Sequence, residues 1–326
     1  MQNEFGLHKE SKHPYFEGWY IKGMQEDIIF SIIIGIQYQS SQTLAFIQFM
    51  DTIHQTSVYE VYEEPQLYVQ SNPFILKLKD TILTEDSLHL CMESIQADLV
   101  FDEKTALTSS RYMPTIMGPF AYLPMQCHHA VISLHHQISG RLTMREKSYD
   151  INGIGYIEKD RGTSFPSQYV WFQANHTDRN TGLFLSIADI PLKPISFTGI
   201  IAVLYVNDKQ YRFASYLGAH IQQMKFIQKD EVHVDIIIKQ RQLCLKLHLI
   251  QKDICELHAP YEGDMHIKIG ESLNSVGHVI FSIGKNVIYE DTFMHAGVEI
   301  VGYPRRMWRG GTDRGCIEAP HLTRRG

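Results

Sequence analysis

Three segments bring together residue types suited to acid chemistry in an apolar setting. In His13-Pro14-Tyr15-Phe16-Glu17-Gly18-Trp19-Tyr20-Ile21-Lys22 a single carboxyl stands among four aromatic rings. The stretch from Gly118 to Ser133 carries Cys127, His128 and His129. The third runs Gly155-Tyr156-Ile157-Glu158-Lys159-Asp160-Arg161-Gly162 through Phe165-Pro166 and on into Tyr169-Val170-Trp171-Phe172-Gln173-Ala174-Asn175. A carboxyl enclosed by rings loses solvation, so its pKa rises and it can stay protonated as a general acid. Ring faces stabilise the cation that such an acid would create. On a strand Tyr15, Glu17 and Trp19 share one face and Phe16 and Tyr20 the other, while Trp171, Gln173 and Asn175 line up as a stacking surface with two amides. The same residues admit a plainer account. Glu17 can pair with a Lys or Arg across the strand while the rings are core, and Glu158-Lys159-Asp160-Arg161 can be a solvated run of alternating charge.

Seventeen histidines raise the question of a metal. His128 and His129 point to opposite faces of a strand, as do His135 and His136, so neither pair chelates one ion there. His129 and His135 share a face about 20 Å apart. No metal site and no cofactor is therefore expected, and a neutral His128 or His129 suits a hydrogen-bond acceptor. No nucleophile elbow, phosphate-binding loop or dinucleotide fingerprint occurs in convincing context.

The elements that must position these residues read as strands. Leu243, Leu245, Leu247 and Leu249 alternate with Cys244, Lys246 and His248, and similar patterns recur at 74–78, 202–206, 211–213 and 232–236. Turn-formers separate them at Gln39-Ser40-Ser41-Gln42, Asn180-Thr181-Gly182, Val206-Asn207-Asp208-Lys209 and Gly284-Lys285-Asn286. No window shows helical periodicity behind a cap. The fold class is all-β, with antiparallel strands closed into two barrels or sandwiches. The polar run Arg145 to Asp150 marks the break, giving an N-terminal unit 1–147, a C-terminal unit 148–303 and a basic, loosely ordered tail 304–326.

These segments, with Ala296-Gly297-Val298-Glu299-Ile300, resemble the tocopherol cyclase-like family in order and spacing from residue 13 to about 302. The Pro-Tyr-Phe-Glu-Gly-Trp-Tyr start and the Tyr-x-Glu-Lys-x-x-Gly-x-x-Phe-Pro block with a downstream Trp-x-Gln-x-Asn carry the resemblance. It implies two lipocalin-like barrels and a prenylated-quinol or other isoprenoid ligand. In plant members the activity is closure of a chroman ring, which needs a buried acid, aromatic faces and an acceptor for the phenol proton. The acid and acceptor candidates are Glu17, Glu158, Asp160 and His129, with Glu17 expected to lead as donor. Tyr15, Trp19, Tyr20, His128, Tyr156, Trp171, Gln173 and Asn175 are the expected ligand contacts, with the first and third segments meeting at one cavity near the junction of the two units. The alternative is a carrier that holds an apolar molecule without changing it.

Composition bounds the partners. A net charge of −6 and a pI near 6.3 argue against a nucleic-acid binder. Six arginines beyond Pro304 face only Asp313 and Glu318, so the tail is the basic exception. Five cysteines without a CxxC pair suggest reduced thiols, and with no secretory signal at Met1-Gln2-Asn3-Glu4 the expected location is the cytoplasm. The longest apolar run, Ile28 to Ile36, is too short to span a bilayer, leaving peripheral membrane contact as the route for collecting a ligand.

Overall fold

A computed structural model describes residues 4–8, 14–39, 42–63, 66–176, 178–192, 195–228 and 230–302. The basic tail and Cys316 lie outside the described residues. Among the described residues strand makes up 73% and helix 3%, in agreement with the all-β expectation.

The first sheet holds β1 (Tyr15–Gln25), β2 (Ile28–Tyr38), β3 (Thr43–Asp51), β4 (Thr56–Glu63), β5 (Leu67–Ser71), β6 (Phe74–Leu78), β7 (Thr81–Thr84), β8 (Ser87–Cys91), β9 (Ile95–Asp102), β10 (Cys127–Met144) and β11 (Lys147–Gly162). Their order is β4-β3-β2-β1-β11-β10-β9-β8-β7-β6-β5, all antiparallel. The second sheet holds β12 (Tyr169–Asn175), β13 (Gly182–Leu192), β14 (Ile195–Val206), β15 (Lys209–Ala214), β16 (His220–Gln228), β17 (Val232–Gln240), β18 (Leu243–Gln251), β19 (Ile254–Tyr261), β20 (Asp264–Ile283) and β21 (Asn286–Val301). They run β15-β14-β13-β12-β21-β20-β18-β17-β16, with β19 beside β20. Arg145–Asp150, the polar run that suggested a break, forms the tip and start of the β10–β11 hairpin. Arg145 and Glu146 both take positive φ there, the geometry of a tight two-residue turn. The chain passes from one sheet to the other between Gly162 and Tyr169.

Each sheet wraps its own apolar face. Trp19, Ile32, Phe49, Leu76, Leu99 and Ile157 belong to the first core, and Phe172, Leu185, Leu204, Ile236, Leu247 and Val298 to the second. Where the second sheet nearly closes on itself, the Gln240 side chain bridges the gap. It accepts from Ala214 N at 3.0 Å and donates to Arg212 O at 2.9 Å. A third apolar layer, including Tyr20, Tyr156, Trp171 and Phe184, lies between the sheets. Strands such as β1 are thus buried on both faces, which alternation alone cannot orient. Among the described residues no helix is long and apolar enough to cross a membrane, and four cysteines are free.

Candidate functional site

The outward faces of β1, β10 and β11 meet those of β12, β13 and β21 around a cavity of about 150 Å³. Phe16, Ile33, Met117, Phe120, Phe165 and Ile190 give it apolar walls. The first sheet adds Tyr20, His129, Glu158 and Asp160, and the second adds Tyr169, Trp171 and Glu299. Among the described residues no lysine or arginine lines it.

β11 supplies the acid. Tyr156, Glu158 and Asp160 alternate toward the second sheet, and Glu158 lies opposite Tyr20 in register. Tyr156 OH donates to Glu158 Oε2 at 2.6 Å and Trp171 Nε1 donates to the same oxygen at 3.3 Å, which leaves Oε1 to carry a proton. Burial pushes the Glu158 pKa up and the charge of Asp160 adds to it. The neighbouring His129 and the two hydrogen bonds only partly offset this. His129 Nδ1 is 2.9 Å from Asp160 Oδ1 and Nε2 is 3.5 Å from Glu158 Oε2, with the ring stacked on Phe184. Burial disfavours its charged form, but Asp160 and Glu158 outweigh that and hold its pKa up at about 9. His129 is therefore an imidazolium bridging two acids, not the neutral acceptor that the sequence suggests. Cys127 donates from Sγ to Asp160 Oδ1 at 3.5 Å, and burial pushes this thiol well above its ordinary range.

Two further acids reach the same layer from the second sheet. Glu299 accepts a hydrogen bond from Tyr169 OH, and Glu271, opposite Glu299 in register, accepts from Tyr20 OH at 2.7 Å. Burial raises both carboxyls, and their mutual proximity raises Glu271 further. Nearby Lys22 donates to His295 O at 2.8 Å, and burial lowers its pKa to about 7. Gly297 leaves room for Trp171, since a Cβ there would stand 2.8 Å from the indole.

The structure divides the sequence candidates. Tyr20, His129, Glu158, Asp160 and Trp171 line the cavity, and Tyr156 holds Glu158 from behind. Tyr15, Glu17 and Trp19 do not reach it, because they occupy the other face of β1 and point into the first core. There Lys159 forms an ion pair with Glu17 and its ammonium lies 4.5 Å over Trp19, while His8 N donates to Glu17 at 2.8 Å. Burial would raise the Glu17 pKa, but the bonds from His8 and the charge of Lys159 bring it below the usual value. Glu17 is an ionised structural carboxylate, so the expectation that it leads as donor is corrected by its face and its partner. His128 faces Lys159 and Arg161 outside the cavity, and burial together with Arg161 lowers its pKa to about 4. Gln173 and Asn175 share the face of Trp171 but bond to each other, and Asn175 Nδ2 donates to Leu134 O at 2.8 Å. Glu299 and Glu271 were missed as candidates, although Glu299 sits in the family-like block near the end.

His129, Glu158 and Asp160 are also the described grouping whose possible ligand atoms all lie within 4.8 Å of one another. Each ring nitrogen already faces a different carboxylate, so an ion would have to displace one of these contacts.

No protein-family model and no curated protein matches the chain. Solved structures do. A putative AttH from Nitrosomonas europaea superposes with a TM-score of 0.55 at 16% identity, covering 91% of this chain and 95% of that one. CghA gives 0.55 at 9% identity over 88% of both chains, and CghA with Sch210972 gives 0.55 at 9% over 88% and 89%. At these identities the likeness is one of fold: this chain shares with those proteins its all-β fold of two large antiparallel sheets.

Proposed function

We propose that the protein is a tocopherol cyclase-like isomerase that binds a prenylated-quinol or related isoprenoid molecule between its sheets and closes a ring on it by acid catalysis. The observation that carries this reading is a carboxyl, Glu158, held toward its protonated form in the wall of an aromatic cavity. Glu158 gives its proton to the prenyl double bond. Tyr20 and Trp171, packed edge to face at 5.5 Å, stabilise the tertiary cation. The phenol oxygen closes on that carbon, and its proton returns to the Glu158 carboxylate, which the His129 imidazolium steadies meanwhile. Asp160 keeps His129 charged and oriented. Proton out and proton back make the overall change an isomerisation that consumes no cofactor. The absence of lysine and arginine from the described lining favours a ligand without phosphate or carboxylate groups.

Incubation with prenylated quinols in D2O, followed by reverse-phase mass spectrometry, tests this. The expected product is a ring-closed isomer carrying one carbon-bound deuterium. Recovery of bound but unaltered quinol from both the protein and its Glu158→Gln variant would replace the enzyme with a carrier.

A further inference from the structure

The segment 105–126, which joins β9 to β10, has two contrasting sides. Its Met117, Phe120 and Met125 line the cavity. Its other side carries Tyr112 and Tyr122, at 79% and 65% the two most exposed large apolar side chains described, with Leu123 at 41% beside them. A bridge between Ser110 and Met113 makes Arg111-Tyr112 a tip, and Tyr122 OH donates to Arg111 O, so the two tyrosines stand on one projection. The 3-10 turn Gly118–Tyr122 turns Phe120 inward and Tyr122 outward. Rings continue from this segment into the second sheet, with Phe120 5.7 Å from Phe197.

The charge pattern of the segment is as unusual as its exposure. The chain has 36 acidic residues and a net charge of −6, yet residues 105–126 contain no acid and one cation, Arg111. Tyrosine rings with an apolar body and a polar tip settle at the headgroup level of a bilayer, and a cation beside them is drawn to anionic lipid.

We infer that segment 105–126 is a docking lip for an anionic lipid surface. Tyr112, Tyr122 and Leu123 enter the interface, Arg111 meets the headgroups, and an apolar molecule passes between the bilayer and the cavity along Met117, Phe120 and Met125. The route rests on the cavity being the ligand site proposed above, whereas the docking itself requires no ligand.

Flotation of the full chain with phosphatidylcholine vesicles, with and without phosphatidylglycerol, tests it. The protein is expected to float with the phosphatidylglycerol vesicles. A Tyr112→Ser, Tyr122→Ser, Leu123→Ser triple variant with an unchanged thermal midpoint should lose at least about tenfold in partitioning. Arg111→Gln should lose about fivefold, and only where anionic lipid is present. A wild-type chain that stays lipid-free with both vesicles overturns the inference, as does a triple variant that floats equally well. A dimer in sedimentation that the triple variant dissolves would assign the patch to a second copy instead. Glu158→Gln should float like wild type, so lost quinol turnover with retained flotation counts against the chemistry alone, and retained turnover with lost flotation against the lip alone.

Discussion

At Glu17 a carboxylate faces an ammonium inside the first core, whereas the nearest positive group to Glu158 is an imidazolium and other acids crowd the same space. The two glutamates therefore respond differently to the same substitution. Glu158→Gln keeps the acceptor for Tyr156 and Trp171 but cannot release a proton, so quinol cyclisation should fall by about 10²–10⁴-fold with ligand retention unchanged, read from kcat against binding. Glu17→Gln strands Lys159 without its counter-charge in a buried site and should cost about 3–5 kcal/mol in urea unfolding, with little change in kcat for the molecules that remain folded. The sequence makes the two alike, since each is an acid among aromatics. What separates them is which face of a doubly buried strand each occupies, and that depends on Lys159 and Trp171, which belong to other strands. Glu158, Trp171 and Tyr20 were legible because a carboxyl, an indole and a phenol recur at alternate positions in segments that also match a family pattern. Glu271, in Ile269-Gly270-Glu271-Ser272-Leu273, offers no comparable local signal.

The strands β11, β12, β20 and β21 pack acids into an apolar layer, so the contact between the sheets is linked to protons. Glu158, Glu271 and Glu299 bind protons more tightly folded than unfolded, and so does His129. For such groups stabilisation is complete below the unfolded pKa and is lost as pH rises through the folded one. Lys22 and Lys159, with pKa values lowered by burial, have the opposite sign. Comparison within one variant separates the two. Glu299→Gln should flatten the fall in thermal midpoint between about pH 5 and about pH 9 relative to wild type, and an unchanged slope would show that Glu299 does not hold its proton in the folded state. Gly297→Ala should push Trp171 off Glu158, at a cost of about 1–3 kcal/mol, visible as altered indole fluorescence. The strands themselves were readable: alternation at 243–249 and 232–236 corresponds to β18 and β17, and Asn207-Asp208 turns β14 into β15 with both residues at positive φ. The change of sheet was not, because a polar run marks the tip of a long hairpin as well as it marks a link between sheets.

At the scale of the molecule, two all-β units follow from short alternating strands and turn-formers, while the cavity between them required knowing which faces meet. Both sheets are joined in the same way, by pairing of the earliest strand with the latest in the middle of the strand order: β1 with β11, and β12 with β21. A chain ended after Gly284 would keep every strand of the second sheet except β21, removing one partner from each of β12 and β20, splitting the sheet between them, and taking away Glu299. Pulse proteolysis should then find residues 169–284 degraded while the first sheet resists. The same pairing sets a timetable for synthesis. β1 emerges first and waits for residue 162 to pass before its second edge is covered, and β12 waits for β21. Two long-lived open edges are thus presented by the nascent chain, so its yield in a cell will depend on how slowly it is translated and on what shields those edges meanwhile.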